Sequence, residues 1–291
     1  MKHGETKLLP CWNNIDIAVL ARSWRLKMGL GLKRNITSRM LSRIVFGFIL
    51  AGFALYFSPV LAENNAKEIA KKMDQAMTRA KDQFFEYDMV IQKPGQEERS
   101  LIFQVTIKGR NKRRLNFLEP GDVKGMKFLV LSTTQMYIYL PAYRKVRRVA
   151  SHVRDQGFMG SAYSQEDMAI VTYGDYMEPK LISDDKDTWT LEMTRRKGKE
   201  KDFPYPKLQI TLDKKMYQPV KIEYFNDDGK IIKTETRTDF ECKGNICNPK
   251  VMKMVDHRRN DVVTYLKRRK WKLNTGIKDS YFTVRSLQRR R

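Results

Sequence analysis

LIFQVTIK, residues 101–108, alternates Leu101, Phe103, Val105 and Ile107 with Gln104, Thr106 and Lys108. Successive side chains of an extended strand point to opposite faces, so this pattern describes a strand with one buried side. The same period of two returns at Trp189, Leu191 and Met193, at Leu208, Ile210 and Leu212, and at Val220, Ile222 and Tyr224. Further strands are predicted at 85–92, 114–117, 127–132, 136–140, 145–149, 178–183, 231–240, 248–256 and 262–272. Lys108-Gly109-Arg110-Asn111, Glu119-Pro120-Gly121-Asp122 and Asn226-Asp227-Asp228-Gly229 supply the turn chemistry between them. Some eleven or twelve strands at a spacing of about 8–12 residues point to a mainly β domain, either a barrel or a strongly curved antiparallel sheet.

Ahead of the strands, Ala66, Ile69, Ala70, Met73, Ala76, Met77 and Ala80 fall at i, i+3, i+4, i+7 spacing, one amphipathic helix within 64–82. Asn65 followed by Glu68 resembles a capping box at its start. The period of two also fails between Val149 and Glu178. There, Gly157, Phe158, Met159, Gly160 and Tyr163 form an apolar loop, and a short helix is suggested near 165–170. An insertion of this length in a β domain is either a binding lid or a plug for one end of the sheet.

Residues 40–62, MLSRIVFGFILAGFALYFSPVLA, have the parts of a secretory signal peptide: basic Arg43, an apolar run from Ile44 to Phe57, Pro59, and small-residue spacing at Val60 and Ala62. The apolar run of 14 residues is shorter than the roughly 20 that a spanning helix needs, which favours cleavage over an uncleaved anchor. Glu63 follows the cut where a lipoprotein would carry cysteine, so the expected mature protein is soluble and periplasmic. Residues 1–39 make an unusually long leader, and Met28 or Met40 would each begin a more ordinary signal. The organisation read here is therefore a leader and signal at 1–62 and one domain at 63–291.

The chain carries 57 Lys and Arg against 33 Asp and Glu; without the 9 basic and 2 acidic residues before Glu63, 48 remain against 31, a net charge of +17. In an exported protein, such charge attracts anionic membrane surfaces or acidic partners rather than nucleic acid. The basic runs at 110–114, 144–148, 195–201, 267–272 and 289–291 read either as solvated strand faces and hairpin ends or as one anion-binding face.

Two cysteines remain after the signal, Cys242 and Cys247, flanking Lys-Gly-Asn-Ile; in an oxidising compartment they are expected to form a local disulfide. No metal-ligand spacing accompanies His152 or His257, and no cofactor motif is present. Ser161 lacks the Gly-x-Ser-x-Gly frame, and Glu166 and Asp167, adjacent in sequence, would diverge by about 100° on a helix. A binding or carrier protein is favoured over an enzyme, with a sensor or adaptor and an unrecognised hydrolase as the competing readings.

Five blocks carry a resemblance: FLEPGDVKGMKFLVL (117–131), MYIYLPAYRKVRRVA (136–150), GFMGSAYSQEDM (157–168), DFPYPKLQITLDKKMYQPVKIEYFNDDGK (202–230) and DSYFTVRSL (279–287). Together they are similar to LolA-like outer-membrane lipoprotein-sorting proteins. The resemblance implies an open, incomplete antiparallel barrel, a LolA-like half-barrel with helices over its mouth, enclosing an apolar cavity for acyl chains. It implies a monomeric carrier of lipid or lipoprotein, served by an inner-membrane exporter and an outer-membrane acceptor, and needs no cofactor. Candidate cavity positions are Leu101, Phe103, Val105, Phe128, Val130, Met136, Ile138 and Leu140, with Phe158 and Met159 at the lid; an ordinary core would bury the same faces. The Cys242–Cys247 pair has no counterpart in that pattern.

The signal reading predicts recovery of the protein in the osmotic-shock fraction with Glu63 at its N terminus. Edman sequencing of that fraction checks it, and retention in membranes after a high-salt wash would overturn it.

Overall fold

Every alternating segment of the sequence becomes a strand of one sheet. The computed structural model describes residues 65–150, 153–170 and 172–289. The leader, the signal segment 40–62, Glu63, His152, Arg290 and Arg291 lie outside the described residues. Thirteen strands follow one another: β1 (Asp82–Gln92), β2 (Arg99–Lys108), β3 (Lys112–Glu119), β4 (Lys127–Ser132), β5 (Gln135–Leu140), β6 (Lys145–Arg148), β7 (Met177–Asp184), β8 (Thr188–Arg195), β9 (Lys207–Asp213), β10 (Pro219–Phe225), β11 (Ile231–Lys243), β12 (Ile246–Asp256) and β13 (Val262–Leu273). Their spatial order is β6-β5-β4-β3-β2-β1-β13-β12-β11-β10-β9-β8-β7. Two meanders are thus joined at the centre by antiparallel pairing of β1 with β13, in a register that sets Phe85 opposite Trp271.

The sheet is an open half-barrel. Its edges, β6 and β7, do not pair with each other. It curls nonetheless, because one connected apolar cluster takes Met136 from β5, Met177 from β7, Ile210 and Ile222 from β9 and β10, and Phe103 from the middle. Helix α1 (residues 65–78) completes that cluster with Ala66, Ile69, Ala70 and Met73, the small face expected from its spacing.

The consecutive strands β6 and β7 stand at opposite edges, so the segment 149–176 must pass from one edge to the other. It does so against the inner face, where Val149, Phe158, Ala162, Tyr163, Met168 and Tyr173 join the core. The short helix suggested near 165–170 does not form; residues 165–169 are turns. Ser164 and Asp167 bond each other reciprocally, Ser164 N–H to Asp167 Oδ2 at 2.7 Å and Asp167 N–H to Ser164 Oγ at 3.1 Å. That closes one turn, and the chain then leaves it to meet the sheet.

A smaller cluster, Leu129, Phe282 and Leu287, covers the outer face. This explains the unbroken apolar run at 128–131: Phe128 and Val130 face inward, while Leu129 lies under the C-terminal strap and its helix α2 (Val284–Leu287). Asp82 starts the strap by accepting hydrogen bonds from Thr275 N–H (2.7 Å), Thr275 Oγ1 (2.8 Å) and Gly276 N–H (3.0 Å).

The expected disulfide joins Cys242 to Cys247. The two residues face each other across the β11–β12 hairpin, whose two-residue turn has Gly244 at φ 61°, the left-handed value that a type II′ turn needs at its first position. Because the closed loop is so short, a Cys242→Ser/Cys247→Ser variant should lose only about 2 kcal/mol in urea unfolding. Neither thiol of the wild-type protein should react with maleimide before reduction.

Candidate functional site

A cavity of about 180 Å³ lies inside the curl, between the C-terminal half of α1, the inner faces of β1–β3 and β11–β13, and the second half of the crossing segment. Its apolar wall includes Phe85, Tyr87, Phe103, Val105, Leu115 and Leu266, with Met168 and Ile170 from the crossing segment. The rim is set by Gly109 of the β2–β3 turn, by the end of α1, and by Ile246 and Cys247 of the disulfide hairpin. Arg79 ties α1 to the tip of that hairpin by donating to Asn245 O. The disulfide therefore stiffens the rim.

Of the ten positions expected from sequence, Phe103 and Val105 line this cavity. Leu101, Phe128, Val130, Met136 and Phe158 are buried in the same apolar cluster but do not line it, and Ile138, Leu140 and Met159 pack against the cluster half-buried. The Phe158 ring sits 5.1 Å from Phe128 and 5.7 Å from Phe117, an anchor for the crossing segment. Gly157 is required beside it: a Cβ there would meet Arg259 Nη1 at 2.1 Å and Ser161 O at 2.6 Å. Arg259, held by Asp256 at 2.9 Å, donates to Ser161 O and so fixes the segment to β12.

The polar side of the cavity comes from β11, where Lys233, Glu235 and Arg237 occupy successive inward positions. Lys233 is fully buried and pairs with Asp167 at 2.5 Å; Tyr205 also donates to Asp167 at 2.5 Å, and Lys233 Nζ lies 3.0 Å from the Tyr205 hydroxyl. Glu235 accepts from Tyr224 Oη at 2.9 Å and from Arg237 Nε at 2.8 Å. Burial, reinforced by Asp167, holds the Tyr205 hydroxyl well above the usual phenol range, and burial with Glu235 does the same for Tyr163 and Tyr224. These phenols stay neutral donors.

Arg113, from the β2–β3 side, donates to the carbonyls of Met168 and Ile170, each at 2.7 Å. Desolvation pushes its guanidinium down to about 10. Sequence reading named Tyr163 only as part of the apolar loop, set Asp167 aside as a catalytic carboxylate, and missed Arg113 and the charged face of β11. The available signal was the spacing itself, charges at i, i+2 and i+4 inside a strand whose other face carries Thr234, Thr236 and Thr238. With its ammonium enclosed, Lys233 has no route to a substrate. Its ion pair pins the crossing segment.

The fold matches solved structures over most of the chain. An outer membrane lipoprotein-sorting protein domain from Vibrio parahaemolyticus is 25% identical, with a TM-score of 0.70 over 78% of this chain and 100% of that one. A DUF1329 family protein from Desulfovibrio piger is 24% identical, with a TM-score of 0.71 over 78% of this chain and 99% of that one. A LolA superfamily protein from Nitrosomonas europaea is 20% identical, with a TM-score of 0.63 over 75% of this chain and 97% of that one. No curated protein matches the chain. A family model described as "Uncharacterized protein" matches residues 109–289. The chain belongs to that family, and its fold is that of the lipoprotein-sorting and LolA-superfamily structures.

In this family member, the matched region contains the crossing segment and the whole charged face of β11. Removing one partner of a buried pair strands the other charge, so Lys233→Met should cost about 3–5 kcal/mol. Exchanging Asp167 as well, to Leu, should cost less than the sum of the two single changes, with a coupling of about 1–3 kcal/mol in a double-mutant cycle followed by urea unfolding.

Proposed function

We propose that the protein is a periplasmic carrier that shields the acyl chain of a lipid or lipoprotein in the cavity under α1 and the crossing segment. The observation that carries this reading is the cavity: an apolar wall on a concave sheet, reached through a rim that the disulfide hairpin stiffens. Burying an acyl chain gains about 0.8 kcal/mol per CH₂, enough to hold it out of water without any chemistry by the protein.

Size limits how loading proceeds. At about 180 Å³ the cavity is below the roughly 300–1,000 Å³ of ordinary ligand pockets, and little above the engineered cavity of about 150 Å³ that takes benzene. A full-length chain enters only if the crossing segment or α1 moves outward. The joints that must yield are the two carbonyl bonds of Arg113 and the bonds that Asp74, on the buried side of α1, accepts from Tyr173 N–H (2.9 Å) and Gly174 N–H (2.8 Å). Both joints are hydrogen bonds, so the apolar packing around Phe158 is preserved while they open.

In this role the protein works as a monomer between an inner-membrane exporter that loads it and an outer-membrane acceptor. Its positive charge favours contact with anionic membrane surfaces.

N-phenyl-1-naphthylamine, a neutral apolar fluorophore, tests the cavity without regard to head group. Wild type should take it up saturably in detergent-free buffer. Val105→Trp, which fills the cavity from β2, should weaken uptake by about tenfold or more while circular dichroism stays unchanged. Non-saturable fluorescence in wild type would end the carrier reading.

A further inference from the structure

The cavity carries more positive charge than its own carboxylates neutralise. Arg113 and Arg237 line it, as do Glu235 and Asp167. Asp167 is balanced by Lys233 from behind, and Glu235 by Arg237. Arg113 is left with two carbonyl oxygens and, among the described residues, no carboxylate. Its Nε is buried without a partner.

A second donor is orphaned in the same space. Tyr163 is 6% exposed and lines the cavity, and its buried hydroxyl has no partner. A buried donor left unmade costs about 1–3 kcal/mol, and an unneutralised buried cation costs more. An apolar chain alone would satisfy neither group and would desolvate both further.

We infer that the ligand is an anionic amphiphile, a single acyl chain ending in a carboxylate or phosphate whose oxygens meet Arg113, Arg237 and Tyr163 while the chain lies against Phe103, Val105 and Leu266. This inference rests on the carrier reading and names the chemistry of the cargo's head. The three groups share one space: Arg113, Arg237 and Tyr163 all line this cavity. The arrangement also assigns a reason for a charged strand inside an acyl cavity, since Glu235 and Tyr224 hold Arg237 in position on the wall.

Calorimetric titration of the purified chain with dodecanoate, dodecyl phosphate, dodecanol and dodecyltrimethylammonium tests the head group at constant chain length. At least one anion should bind about tenfold or more tightly than dodecanol, and the cation should bind weakest; the tighter anion tells a carboxylate source from a phosphate source. Tyr163→Phe removes only an unpartnered oxygen, so its melting temperature should hold or rise. Its preference for anion over alcohol should fall several-fold. Arg113→Gln should lower that preference further, although it also loosens the crossing segment. Equal affinity for dodecanol and both anions, or an unchanged preference in both variants, overturns the inference and leaves the carrier reading standing. Absence of saturable binding by all four ligands overturns both.

Discussion

A fully enclosed ion pair, Lys233 with Asp167, fixes the middle of the crossing segment to the sheet, and the remaining joints of that segment are arranged around it. Consecutive strands β6 and β7 lie at opposite edges of the sheet, so the chain between them has to traverse the concave face. An irregular segment buried there would leave backbone polar groups unmet unless side chains supply partners. Asp167 takes Ser164 N–H, Thr264 Oγ1 takes Ala162 N–H, and Arg113 covers the carbonyls of Met168 and Ile170. Ladder-like satisfaction is thus rebuilt from side chains, which is why charged and hydroxyl residues occupy inward positions of β2–β3, β11 and β13.

Such a polar lining would be costly in a cavity that held an apolar chain alone. Replacing a buried pair by apolar residues is often neutral or stabilising, so stability alone does not account for three charges in a row on β11. Two of them have structural duties: Lys233 pins the segment, and Glu235 takes Tyr224. Arg237 has none beyond its tie to Glu235, and it faces the cavity. A hydrogen-bonded crossing segment also separates two functions that one apolar lid would merge. The joints at Arg113 and Asp74 are hydrogen bonds, whereas the aromatic contacts of Phe158 hold its end of the segment by apolar packing.

The strands were legible in the sequence because half-buried antiparallel strands write their burial as a period of two; Lys127–Ser132 was placed to the residue, and most others to within two or three. Helix α1 was legible for the corresponding reason, though it stops at 78 and Asp82 already belongs to β1. What the pattern could not give was the partner of each inward side chain. Leu101 and Phe103 show the same periodicity, yet Phe103 meets the cavity and Leu101 fills the core, since the difference depends on which part of the crossing segment lies opposite. Phe158 between flexible neighbours read as a lid, but two phenylalanines of β3 and β4, distant in sequence, make it an anchor. The face of β11 was harder to read because its inward residues are charged, so its period of two is written in charges instead of the apolar residues that usually announce a buried side.

The basic runs follow from the same alternation. A run of cations on a strand cannot form one face: in 110–114, Arg113 turns into the cavity, while Arg114 turns outward under the Tyr281 ring, 4.2 Å from its centroid. In 267–272, Arg268 pairs with Glu241 at 2.6 Å, Arg269 with Asp88 at 2.8 Å and Lys270 with Glu86 at 2.9 Å. The run at 144–148 has a different use. It forms β6, a free edge of an open sheet, and unpaired edges invite pairing with other chains. Here the edge is four residues long, with Lys145, Arg147 and Arg148 exposed, and the opposite edge, β7, carries Pro179 and Lys180. The open sheet keeps two such edges, one short and cationic and one carrying proline and lysine, features that discourage pairing with a second copy.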